Sequence, residues 1–158
     1  MFKLFATIGL CAAITVTSEP VSAQGSTKVT SLVTMNGKCH KLVLGGENAS
    51  EICKPTVLNV TYANGKSSFM FVAEGLGIIS FYGTDSSAKG NKAVITVEQT
   101  TLKLEMANSP TTAPATGTCS YTNPYTGPSL VQCSAVAAGE IFQATFVSDG
   151  SKPDVKEF

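Results

Sequence analysis

Thr56–Ala73 reads TVLNVTYANGKSSFMFVA. Two runs of β-branched and aromatic residues flank Asn64-Gly65. In the first run Leu58, Val60 and Tyr62 share a face, with Asn59 and Thr61 opposite. In the second, Phe69 and Phe71 share a face, with Ser68 and Met70 opposite. Side chains alternate sides along a strand, so a period of two marks a half-buried strand. Asn-Gly tolerates the positive φ that a tight hairpin needs. This stretch predicts an antiparallel hairpin.

The same reasoning extends outward. Upstream, Lys28–Met35 and Lys38–Leu44 read as strands around a second Asn-Gly, Asn36-Gly37, and predict another hairpin. Ser50–Cys53 reads as a short edge segment. Downstream, Gly75-Leu76-Gly77 leads into a strand at Ile78–Tyr82, and Gly83–Asn91 reads as a polar loop. Ala93, Ile95 and Val97 are apolar at odd positions, whereas Leu102, Leu104 and Met106 are apolar at even ones. That change of phase predicts a turn or bulge within Glu98–Thr101. Asn108–Gly117, NSPTTAPATG, reads as a connector too poor in apolar residues to pack. Thr118–Tyr121, Leu130–Ala135 and Ile141–Val147 complete the strands, with Phe142 and Phe146 on one face. Residues 149–158 are expected to fray. No stretch outside the N-terminal segment shows helical periodicity. The expected fold is all-β with about 8–10 strands, an antiparallel up-and-down barrel or a closely related sandwich.

The N-terminus, MFKLFATIGLCAAITVTSEPVSAQG, joins Lys3 to an apolar run and then to Val21-Ser22-Ala23. This predicts a secretory signal peptide over residues 1–23, cut before Gln24. Its ~13 apolar residues fall short of the roughly 20 that span a bilayer. Leu10 stands before Cys11 where a lipoprotein signal needs a small residue. The expectation is one exported domain, residues 24–158, periplasmic or extracellular, monomeric, with no membrane span after cleavage.

The 158 residues carry 11 basic side chains, all lysine, against 11 acids, with a single His and a pI near 6.6. A neutral chain without Arg lacks the basic patch of a nucleic-acid binder. Beyond the leader there are four Cys: 39, 53, 119 and 133. An even count in an exported protein reads as disulfides, with three possible pairings. Cys39 to Cys53 and Cys119 to Cys133 each span fourteen positions around a candidate turn, Gly45–Asn48 in one and Asn123–Pro128 in the other. The symmetry favours two local bridges, each worth roughly 3 kcal/mol in the chain-entropy model. Zinc and redox sites would want C-x-x-C spacing, which is absent.

GKCHKLVLGGENASEIC, LNVTYANGKSSFMFV, GIISFYGTD, GTCSYTNPYTGPSLVQCSA and FQATFVSDGSKP together resemble a family of small exported alphaproteobacterial β-proteins with two disulfide-stapled hairpins. The resemblance covers roughly Gly37 to Pro153, with Lys66 where Arg is frequent. It implies export and the same cysteine pairing. It implies no activity and no catalytic residues.

Candidate chemistry is sparse. His40 would lie on the Leu42/Leu44 face of a regular strand, and no G-x-S-x-G elbow accompanies it, so it reads as structural or surface. Glu98 with Glu105, and Glu47 with Glu51, are the carboxylate pairs that glycosidic chemistry would need, and they read as surface charge near turns. No catalytic residue, metal ligand or cofactor site is expected. Asn48-Ala49-Ser50 and Asn59-Val60-Thr61 match the glycosylation pattern, which is incidental in a bacterium. The most distinctive surface is Tyr121–Pro128, where Tyr121, Asn123 and Tyr125 are candidates for recognising a partner. The plainer alternative, preferred on the sequence, packs the Tyr rings over the barrel end.

The expected function is a non-catalytic exported β-domain of the bacterial envelope, structural or binding a protein, glycan or small apolar ligand. One alternative is a barrel-type carrier, with Phe69, Phe71, Phe81, Phe142 and Phe146 lining a cavity or filling the core. Another is a secreted hydrolase or an inhibitor of one.

Overall fold

The computed structural model describes residues 28–158. The expected leader, with Cys11, lies outside the described residues. The chain forms ten strands: β1 Val29–Leu44, β2 Glu47–Asn48, β3 Cys53–Tyr62, β4 Lys66–Ala73, β5 Gly77–Lys89, β6 Lys92–Leu104, β7 Thr111–Thr122, β8 Leu130–Ala137, β9 Glu140–Ser148 and β10 Asp154–Glu157. Each strand from β3 to β9 pairs antiparallel with the next. β1 then pairs with β3 along Val29–Asn36 and with β9 along Gly37–Val43. Eight strands therefore close an up-and-down barrel, and the sandwich alternative falls. β2 and β10 are additions to β1.

β1 corrects one expectation. Asn36-Gly37 is no hairpin turn but the middle of a continuous 16-residue strand. At Gly37 the β9 backbone passes so close that a Cβ would stand 2.1 Å from the Val147 carbonyl oxygen. Glycine is there to let two strands approach, a second use that sequence cannot tell from a turn.

The Asn64-Gly65 hairpin does form, with a different register. A two-residue turn would set Leu58 and Val60 opposite Phe71 and Phe69. The loop has three residues, with Gly65 at φ +77° and its N–H donating to the Tyr62 carbonyl. The pairs become Val57 with Phe71, Asn59 with Phe69, and Val60 with Ser68. One residue of register exchanges the faces. Phe69 and Phe71 point into the barrel with Val57, and Leu58, Val60 and Tyr62 lie outside. There Tyr62 and Tyr82 meet edge to face at 5.3 Å, above a fully buried Ser68.

Three polar stretches expected to be loops or tail are strands. β5 continues through residues 83–89, because Ile95 and Val97 of β6 give it a partner ladder. Thr111–Gly117 starts β7, and Pro114 is tolerated because β8 reaches only as far as Ala115 on that side. Residues 154–157 pair with Ser31–Thr34 of β1, and Pro153 before them is buried, so the tail is docked. Ser50–Ile52 is a single 3-10 turn and not a strand. The phase change in β6 is a bulge, at Glu98: Val97 and Gln99 both keep partners, and Glu98 has none.

The interior is filled by Phe69, Phe71, Phe81, Phe146, Leu42, Ile79 and Ile95, each at most 1% exposed. Phe71 meets Phe81 edge to face with ring centres 6.0 Å apart, an arrangement aromatic quadrupoles favour. Phe142, half-buried, packs against this core. Phe69, Phe71, Phe81 and Phe146 are buried together in one core cluster within the barrel. Both disulfides form as the spacing favoured. Cys119–Cys133 links directly opposed residues of β7 and β8, with Cα atoms 4.0 Å apart. Cys39–Cys53 ties β1 to the start of β3, beyond the last β1–β3 pair at Asn36 and Thr56. Two disulfides point to an oxidising compartment. No helix among the described residues is long and apolar enough to cross a membrane.

Candidate functional site

The two ends of the barrel differ. At one, residues 63–65, 90–91, 123–129 and 149–153 make the connections. Here Tyr121 leaves β7 over the core, its ring edge-on to Phe69 at 5.1 Å. Its hydroxyl donates to Asp85 at 2.8 Å, and Ser67 also reaches that carboxylate. Burial of the ring, then the hydrogen bond and negative charge of Asp85, push the phenol well above its ordinary pKa. Tyr121 is therefore part of the packing, as the plainer reading had it. Asn123 accepts the Tyr125 N–H at 2.9 Å, an Asx turn that stiffens the tip. Tyr125 itself is 58% exposed, so the two tyrosines have separate fates.

At the opposite end, residues 45–52, 74–76, 105–110 and 138–139 make the connections. Two of these connections, 45–52 and 74–76, together with the ends of β1 and β6, line a solvent-open pocket of about 640 Å³. Leu44, Ala49, Leu102 and Leu104 form its floor and wall, and Ile52 and Leu76 stand on the rim. Ile52, Leu76 and Leu104 are exposed despite their apolar side chains. The polar lining is Glu47, Asn48 and Glu51.

The rim is held by side-chain bonds around Ser50 and by main-chain bonds that join its segments. The Asn48 carboxamide oxygen accepts from the Ser50 N–H and hydroxyl, and the Ser50 hydroxyl oxygen accepts the Leu42 N–H at 2.9 Å. Ala49 N–H donates to Leu42 O at 2.8 Å, Glu74 N–H to Ile52 O at 2.7 Å, and Glu105 N–H to Leu76 O at 2.9 Å. Cys39–Cys53 sits next to the 3-10 turn that carries Glu51 and Ile52. The pocket is preformed, which is the usual state of a ligand site of this size.

Charge is unevenly placed. Five carboxylates, Glu47, Glu51, Glu74, Glu105 and Glu140, lie in or beside the connections at the pocket end. Two lysines join them, and both are engaged: Lys54 pairs with Glu74 at 3.4 Å, and Lys103 donates to the carbonyls of Leu104 and Ala107. A chain neutral as a whole is thus acidic at this mouth.

The other predicted groups scatter. His40 is exposed, a surface residue; a bulge between Cys39 and Lys41 breaks the regular alternation that would have set it on the Leu42/Leu44 face. Glu98 sits on the outer wall, where the Lys66 ammonium and then the Thr84 hydroxyl hold its carboxyl below the usual range. Glu105 lies seven positions further along the chain, just past the end of β6, roughly 20 Å away at about 3.3 Å per residue. That pair is not assembled, whereas Glu47 and Glu51 share the pocket. Asn59 is half-buried and donates to Ser68 O. Among the described residues no three His, Cys, Asp or Glu side chains converge. A second, shallower depression of about 340 Å³ lies on the outer wall of β1, β7, β8 and β9, lined by Lys41, Thr118, Ser120, Gln132 and their neighbours.

Sequence reasoning missed the pocket because segments remote in sequence build it: the end of β1 with residues 45–52, the 74–76 turn and the end of β6. The signal that could have found it was apolar residues at strand ends and turns: Ile52, Leu76 and Leu104. No family model, no curated protein and no solved structure matches the chain.

Proposed function

We propose that this protein is an exported, non-catalytic β-barrel binding domain that takes a small, largely apolar ligand in the open end of the barrel. The observation that carries the reading is the preformed pocket of about 640 Å³ walled by Leu44, Leu102 and Leu104. Its volume lies within the ~300–1,000 Å³ of small-molecule sites. It places the carrier idea at the mouth, with Phe69, Phe71, Phe81 and Phe146 read as the buried core beneath. Export is supported by the two disulfides and by the secretory pattern of residues 1–23. An envelope location, periplasmic or extracellular, belongs to the same proposal. The exposed Tyr125 on its stiffened loop favours a second reading, in which the domain also meets a protein or glycan partner at the other end.

The test is titration of the oxidised domain with N-phenyl-1-naphthylamine, a neutral probe that fluoresces in apolar surroundings. At roughly −0.3 kcal/mol per heavy atom, its about 17 atoms give a Kd on the order of 100 µM. Saturable one-to-one binding that Leu76→Arg abolishes supports the reading; Leu76 is exposed on a turn, so the fold tolerates the change. No binding, or binding indifferent to Leu76→Arg, overturns it.

A further inference from the structure

We propose that the pocket selects a cationic amphiphile: an apolar body lies against Leu44, Leu102 and Leu104, and an amine head meets Glu47 and Glu51. The proposal rests on the binding reading above and adds the chemistry of the ligand. Three observations carry it. Glu47 and Glu51 line the same pocket as the leucines, so one small molecule reaches both surfaces. Neither carboxylate has a hydrogen bond or an ion pair among the described residues, so both are free to receive a donor. The two lysines at this end are engaged with Glu74 and with main-chain carbonyls, and neither lines the pocket, so its lining offers an anionic head no cation.

The electrostatics decide between ligand classes of equal apolar size. A carboxylate or phosphate head would enter a pocket lined by Glu47 and Glu51, at an end where five carboxylates outnumber two lysines, at a cost in repulsion and with no cation in the lining. A hydroxyl head would gain little. An ammonium gains two rim contacts, each modest because they are exposed to water, and together on the order of tenfold in affinity at low salt. The long range of the field from the excess of carboxylates over lysines at this end adds a faster encounter that salt removes.

The test displaces the naphthylamine probe, at pH 7 and below the micellar range, with three chains of equal length: decylamine, 1-decanol and decanoate. It uses the oxidised protein and its Glu47→Gln/Glu51→Gln variant. Both glutamates are exposed, so the variant is expected to fold, and circular dichroism checks this. The expected order is decylamine about tenfold better than decanol, with decanoate weakest. In the variant decylamine falls to the level of decanol, and 0.5 M NaCl has the same effect on the parent protein. Equal displacement by decylamine and decanol, or preference for decanoate, overturns the cation proposal and leaves the apolar pocket standing. Failure of the probe and of all three chains to bind overturns both.

Discussion

Removing the Cys39–Cys53 bridge tests how the fold holds its open end. The bridge closes a loop of sequence separation 14, for which the chain-entropy model gives about 3 kcal/mol. A domain of this size loses about 3–4 °C per kcal/mol, so Cys39→Ala/Cys53→Ala lowers Tm by about 10 °C. The Cys119–Cys133 loop has the same separation, so its double alanine variant should lose about as much. The two differ locally. Cys119 and Cys133 sit inside an intact ladder, with Thr118 opposite Ser134 and Ser120 opposite Gln132 on either side. Cys39 and Cys53 lie past the last pair of β1 with β3, and their bond holds the diverging strands next to the pocket rim. Urea unfolding without reductant gives the stabilities, and the naphthylamine titration gives the state of the pocket. Both variants should lose about 3 kcal/mol, and Cys39→Ala/Cys53→Ala alone should weaken the probe. A loss under about 0.5 kcal/mol, or equal weakening of the probe in both, refutes the reasoning.

Phe81→Ala empties a fully buried site against Phe71 and should cost about 3–5 kcal/mol in urea unfolding. Gly37→Ala forces a Cβ onto the Val147 carbonyl at the seam where β1 meets β9, and should cost about 1–3 kcal/mol by the same assay. Tyr121 has a folded-state pKa raised above its unfolded value of about 10. The neutral phenol is therefore the form that folding favours: its contribution is complete below about pH 10 and is lost as pH rises toward the folded pKa. Tyr121→Phe should flatten the fall in stability above about pH 10, measured by urea midpoints across that range. An unchanged alkaline slope would remove Tyr121 as its source.

The strand content of Thr56–Ala73 was legible because alternation is a local property. Its register was not, because a loop of two and a loop of three residues share the same Asn-Gly signal and differ only in which neighbours pair. The Glu98 bulge was legible, since the apolar phase visibly changes parity across it. The His40 bulge was hidden, since Cys39 and Leu42 flank it over too short a span to show a phase. Gly37 was misread because close approach and chain reversal both ask for glycine. Residues 83–89 and 111–117 were misread because their polarity reports a water-facing side and says nothing about the ladder that a neighbouring strand supplies. The cysteine pairs were legible from equal spacing around turns. The site was the least legible part: Glu47, Glu51, Leu76 and Leu104 meet only once the barrel closes, and a net charge near zero averages away the acidic mouth.

The most direct measurement of the central claim is a 15N–1H correlation spectrum of the domain titrated with the naphthylamine probe. The account predicts shifts at Leu44, Ala49–Ile52, Leu76 and Leu102–Leu104, with Tyr121–Pro128 and the outer-wall residues Gln132 and Thr145 unmoved. Shifts centred on Tyr125, on the outer wall, or on no single end of the barrel would contradict it.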